Sequence, residues 1–316
     1  MCAERQRICL SDCSWTDYEM TADPGECEPG TTRMVSEGCA PGDVREETCS
    51  DTCGWVESMA CSDPCGGTAR TSPEWKSEVC IPAGPFMRGS TDFLDTQPVA
   101  EVYVSAYYID RYPVTNRRYQ ECVVAGACNL MYAGSIGGRS YADPSRADYP
   151  VQSVYQADIR AFCAWDGGRR LPTEAEWEKA VRGPSPRTNP FPWDGTAYRC
   201  DLVNNQIPPC TYRRPAGESS SWAVDPYDGL PGSISYYGTY LQYGGVPELV
   251  TDYYSATYYS DPTSLTDPTG PATGTTTVRR GDTRQIVHLD LALRQETTLT
   301  DGSTAATGFR CARSAP

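Results

Sequence analysis

Cysteine decides what chemistry this chain can do. There are 16 cysteines and a single histidine, His288, in 316 residues. Thiols at that density act as disulfides, as soft metal ligands or as nucleophiles. C-x3-C spacings occur at Cys9/Cys13, Cys49/Cys53 and Cys61/Cys65, but there is no C-x2-C knuckle and one His in all. Zinc is therefore the poorer reading, and the even count points to disulfides formed in an oxidising compartment. His288 lies in "QIVHLDL", an alternating, strand-like stretch, and no G-x-S-x-G elbow offers it a serine. Asp and Glu total 41, yet no spacing singles out an acid/base pair from solvated acidic surface.

The charge balance narrows the partners. A formal net charge of −14 with no basic run leaves nothing to neutralise phosphates, so nucleic acid is not expected. Only Lys76 and Lys179 are lysine among the 27 basic residues, which reads as the codon usage of a GC-rich, bacterial genome. No apolar run approaches the roughly 20 residues that span a bilayer. No export leader is recognisable at Met1-Cys2, so an exported chain implies that its leader has been removed. The expected location is extracellular or at the cell surface.

Three stretches of different texture must position these residues. Residues 1–69 hold nine cysteines and an imperfect repeat, "CLSDCSW" at 9–15 and "CSDTCGW" at 49–55, with "CEPG" and "CAPG" between them. Too little apolar surface is present there for an ordinary core, so disulfides must staple it, with Trp15 and Trp55 as local packing centres. Residues 70–78 read as a polar hinge. Residues 79–316 are rich in Tyr, Gly and Pro and predict a loop-rich α+β domain with short helices. One follows Thr115 over 116–126. A second, over 155–165, puts Ile159, Phe162, Cys163 and Trp165 on one face. The third lies in "RLPTEAEWEKAVRG" (170–183), where Thr173 and Glu176 spell a capping box at a surface entry and Trp177 faces inward.

Several phrases fall in a recognisable order: "CIPAGPFMRGS" (80–90), "AYYIDRYPVTNRRYQEC" (106–122), "RLPTEAEWE" (170–178), "PFPWDG" (190–195), "YGTYLQYGGVPELVTDYY" (237–254), "VRRGD" (278–282) and "GFRCAR" (308–313). Over residues 79–316 the chain resembles the formylglycine-generating enzyme, or sulfatase-modifying factor, family. The resemblance implies a variant of the C-type lectin fold, and Cys163 and Cys311 match positions that family members bridge. Cys122/Cys128 and Cys200/Cys210 are expected as short-range pairs, which leaves the ten cysteines from Cys2 to Cys80 to pair among themselves. The family's structural calcium implies Asn204 or Asn205, Gly245 and Glu248 as candidate ligands, with Asp225 or Asp228 nearby. Gly245 stands where the family has Asn and offers only a carbonyl.

The resemblance also sets a test for catalysis. Active members hold copper(I) with two cysteines that follow an "RGGS" turn. Here the turn reads "RRGDTR", and no cysteine lies between Cys210 and Cys311. The three-His iron site of sulfoxide synthases on this fold has no counterpart in a chain with one His. Neither copper nor iron is expected, while calcium is. The expected function is a non-catalytic binding or structural protein; the alternative is a metal-dependent oxidoreductase with a non-standard site. In variable receptor proteins of this fold, the stretch before "GFR" contacts ligand. That places Arg284, Gln285, His288, Asp290 and Arg294 as candidates. The 21 Tyr against 5 Phe suggest interfaces, so partners are a protein or glycan ligand, or further copies in a filament or surface assembly.

Overall fold

The computed structural model describes residues 5–6, 19–20, 32–35, 45–52, 54–57, 63–129, 144, 147–152, 154–192, 234–240, 242–243, 246–281, 290–298 and 307–316. Two compact units result, Met1–Thr68 and Ala69–Pro316.

In the first unit, β1 (Arg5–Gln6) pairs with β2 (Glu19–Met20), and β3 (Thr32–Val35), β4 (Arg45–Cys49) and β5 (Trp55–Glu57) form an antiparallel meander. Cys49 is buried, disulfide-bonded and directly opposite Trp55 in the β4–β5 register.

Among the described residues, the second unit is built from small antiparallel sheets around three short helices. β6 (Glu78–Ile81), β9 (Tyr107–Asp110) and β13 (Ala312–Ser314) make one sheet with β9 central. β7 (Gly84–Arg88) and β8 (Ala100–Val104) form a ribbon, while β10 (Glu248–Tyr253), β11 (Thr276–Arg280) and β12 (Arg294–Thr298) form the third sheet. The helices are α1 (Asn116–Val124), α2 (Gln156–Trp165) and α3 (Glu174–Arg182). Residues 70–78, read as a hinge from composition, are tied into this unit. Arg70 donates to Asp166 at 3.2 and 3.1 Å, and Lys76 pairs with Glu121.

Local sequence explains where the helices start. Thr115 caps α1 by accepting the Arg118 N–H, and α3 opens with the full capping box. There the Glu176 N–H reaches Thr173 Oγ1 at 3.1 Å and the Thr173 N–H reaches Glu176 Oε2 at 2.7 Å. The buried face of α2 is Asp158, Ile159, Phe162 and Cys163, packed with Tyr119, Leu249 and Phe309 in one apolar cluster.

Two disulfides of this unit follow the expected pairing. Cys122–Cys128 closes the end of α1, and Cys163–Cys311 joins α2 to the segment before β13. The second bridge spans 148 residues, worth about 5 kcal/mol in the chain-entropy model. Cys200 and Cys210 lie outside the described residues. Among the described residues, no helix is long and apolar enough to cross a membrane.

One expectation is corrected. The helix read as a surface entry is interior, and all nine residues of α3 are buried, five of them charged. Each charge has an answering group, because an uncompensated buried charge would cost several kcal/mol.

Candidate functional site

The α3 helix organises a buried network of charged side chains. The Glu174 carboxylate receives Arg294 at 2.7 and 2.9 Å and Arg280 at 2.7 Å. Glu178 receives Arg280 at 2.8 Å, Arg182 at 3.0 Å and the Gly89 N–H at 2.7 Å. Burial alone would raise both carboxyls, but the guanidinium groups outweigh it and hold them below the usual range. Asp252 shows the opposite outcome. Burial and the Glu174 charge push its carboxyl well up, while it accepts the Glu174 N–H at 2.8 Å. The Lys179 ammonium donates to the carbonyls of Pro82, Gly84 (3.0 Å) and Val104 (3.1 Å), and burial lowers it to about 8.

Trp177 is the node of this region. Its Nε1–H donates to Glu248 Oε2 at 2.8 Å, and the Arg280 guanidinium lies 5.3 Å from its ring centre. Phe191, Tyr243, Val250, Val278 and Leu291 complete the apolar cluster. The Leu291 N–H donates to Pro190 O at 2.8 Å. Gly281 has φ +81, and a Cβ there would stand 2.5 Å from Gln242 O and 3.1 Å from the Trp177 ring. Only glycine fits that approach. Hence Phe191, Tyr243, Gly281 and Leu291 gather around one buried indole.

The candidate ligands fare differently. Glu248 is fully buried and receives two bonds from Arg310, both 2.7 Å, besides the Trp177 indole. A cation there would compete with a guanidinium already bound through both oxygens. Asn204, Asn205 and Gly245, with Asp225 and Asp228, lie outside the described residues.

Of the ligand-contact candidates, Arg284, Gln285 and His288 also lie outside the described residues. Arg294 is 4% exposed; besides Glu174 it donates to Asp95 O and Ser255 O. Asp290 is 8% exposed, accepts the Ala292 N–H at 2.7 Å, and is raised by burial despite help from Ser90 and that N–H. Both are interior supports rather than display residues. What the sequence reading missed is the partner of Arg294: the acids at Glu174 and Glu178, one helical turn apart, were the available signal.

A second buried network braces the other half. Asp110 accepts Arg169 at 2.8 and 3.2 Å and the Cys311 N–H at 2.8 Å; Asp166 accepts Arg118 at 2.7 Å. Burial would raise Asp110, but Arg118 and Arg169 overcome it and bring the carboxyl down to about 2.

This architecture matches a known family model, the sulfatase-modifying factor enzyme 1-like domain, over residues 67–315. The chain belongs to that family. It is 29% identical over 291 residues to a formylglycine-generating enzyme of Thermomonospora curvata, covering 75% of this chain and 93% of the relative. The Bos taurus formylglycine-generating enzyme is 26% identical, covering 77% and 76%. A serine/threonine-protein kinase pkn1 of Chlamydia caviae is 28% identical over 77% of this chain but only 39% of its own length. Among solved structures, PvdO of Pseudomonas aeruginosa aligns with a TM-score of 0.60 at 21% identity, over 78% of this chain and 98% of that one. Treponema denticola variable protein 1 aligns at 0.55 and 19%, over 90% and 99%. At those identities the likeness is one of fold.

Proposed function

We propose that this family member is a non-catalytic, extracellular binding module that presents ligand-contacting residues from the 284–288 segment. The observation that carries the reading is the lack of any cysteine between Cys210 and Cys311, where copper-dependent relatives need two thiolates. Three further facts support it. The acids of α3 are engaged by guanidinium groups, which leaves them poor metal ligands or general bases. Phe191, Tyr243, Gly281 and Leu291 pack around the buried Trp177, a fixed base of the kind that binding loops need. A disulfide-rich chain suits an oxidising location outside the cell.

The candidate contacts on this reading are Arg284, Gln285 and His288, and the ligand is a protein or glycan. Ligand display is favoured over self-assembly by the tyrosines. Tyr107, Tyr108, Tyr112, Tyr119, Tyr243 and Tyr259 are buried, so much of the Tyr excess is core rather than interface.

The test uses glycan and protein arrays probed with the full chain and with a variant carrying Arg284→Ser, Gln285→Ser and His288→Ser. Captured ligands should be lost in the variant while its melting temperature stays unchanged. Equal capture by both proteins would remove these residues from the account. A ladder of oligomers on native mass spectrometry would instead move the function to assembly.

A further inference from the structure

We propose that a cleft between α2, β10 and the 266–275 loop binds a small acidic sugar, a polyhydroxylated ring bearing a carboxylate. The site uses no residue of the Trp177 cluster.

The cleft is open, about 410 Å3 in volume, and its walls include Gln156, Arg160, Thr251, Tyr253, Thr269 and Pro271. That volume falls within the roughly 300–1,000 Å3 of small-ligand sites. Simple periodicities bring the walls together. Gln156 and Arg160 are one turn apart on the same face of α2. Thr251 and Tyr253 alternate along β10 with the buried Val250 and Asp252 and so share its outer face. Two glycines set the third wall. A Cβ on Gly270 (φ +77) would stand 2.7 Å from Asp252 Cβ, and one on Gly274 would stand 2.7 Å from Tyr253 Cβ. The loop therefore lies directly against β10 and braces the Tyr253 ring.

The polar groups in this cleft have capacity that the protein does not use. Arg160 makes no ion pair among the described residues, and its hydrogen bond to Thr251 Oγ1 is long, 3.3 Å. The Gln156 Nε2 group is shielded from solvent and has no partner. The Tyr253 and Thr269 hydroxyls likewise have no partner among the described residues. Among the described residues no carboxylate lines the cleft, although the chain as a whole carries a net charge of −14.

These features select the ligand. An unpaired guanidinium without acidic neighbours calls for an anion, and a carboxylate matches its fork with two parallel bonds. One cation surrounded by an amide and three hydroxyls matches a ring with hydroxyl groups beside its acid. An apolar acid would bury those groups without partners, at a cost. The Tyr253 ring and Pro271 supply the apolar surface on which a sugar ring can lie.

Glucuronate, galacturonate, glucose and acetate would be titrated separately into the native full chain, followed by amide NMR and calorimetry. At least one uronate should bind and shift the amides of Gln156, Thr251, Tyr253 and Thr269, with glucose and acetate weaker by about tenfold or more. Arg160→Gln should weaken uronate binding by a similar factor with an unchanged melting temperature. Thr269→Val, also at an exposed position, gives a second and smaller loss. The proposal is overturned if neither uronate shifts these amides, if Arg160→Gln binds equally well, or if glucose or acetate binds as tightly.

Discussion

Around Trp177 the polar groups face each other, whereas in the cleft beside α2 most lack a partner among the described residues. Glu174, Glu178 and Glu248 each hold a guanidinium at 3.0 Å or less. Arg160, by contrast, has among the described residues only a long bond to a threonine. Both regions are rich in residues that chemistry could use, yet only the second leaves them free. The most family-like sequence in the chain, "RLPTEAEWE", is thus the part whose polar groups are most fully engaged in holding the fold. A motif's charged residues mark function only where the structure leaves them without partners.

The contrast can be broken most severely from inside. Glu178→Ala would take the carboxylate from buried Arg182 and leave Arg280 paired with Glu174, and a loss of about 3–5 kcal/mol is expected in denaturant unfolding. A loss below about 1 kcal/mol would mean that water or rearrangement compensates the guanidinium groups.

A smaller effect is expected at Asp110. Its folded carboxyl titrates at about 2, below the ordinary 3.8, so it contributes stability above the unfolded value that is lost as pH falls toward the folded one. The shift corresponds to about 2 kcal/mol. Asp252, whose carboxyl is raised, acts in the opposite sense and gains as pH falls, so the two must be separated by mutation. The stability difference between wild type and Asp110→Asn should shrink through that acid window in thermal melts. A difference independent of pH would assign the role of Asp110 to packing.

At the cleft the expected effect on folding is the smallest. Arg160→Gln should change stability by no more than about 0.5 kcal/mol, since an exposed arginine without an ion pair holds nothing together. A large loss would erase the distinction between the two regions.

The fold was largely legible. The capping box, the apolar spacing of α2 and the Cys163–Cys311 match are local or family-borne signals, and all three are present in the structure. The site was less so, for a physical reason. Glu174 meets Arg294 across 120 residues, and Glu248 meets Arg310 across 62. Nothing in the local sequence states such a pairing, so Arg294 read as a contact residue and Glu248 as a metal ligand. Exposure, too, is a property of the assembled fold: α3 carries the polar composition of a surface helix and is buried throughout. The cleft hides for the same reason, because its walls come from residues 156–160, 251–253 and 269–271.

On the proposed function, the family scaffold here holds no thiols able to activate oxygen. Free-thiol titration of the denatured, unreduced chain, read by intact mass alongside copper analysis after exposure to copper(I), is the sharpest test. No free thiol among the 16 cysteines and no stoichiometric copper are expected. Two free thiols that hold one copper ion would contradict that proposal and restore an enzymatic reading.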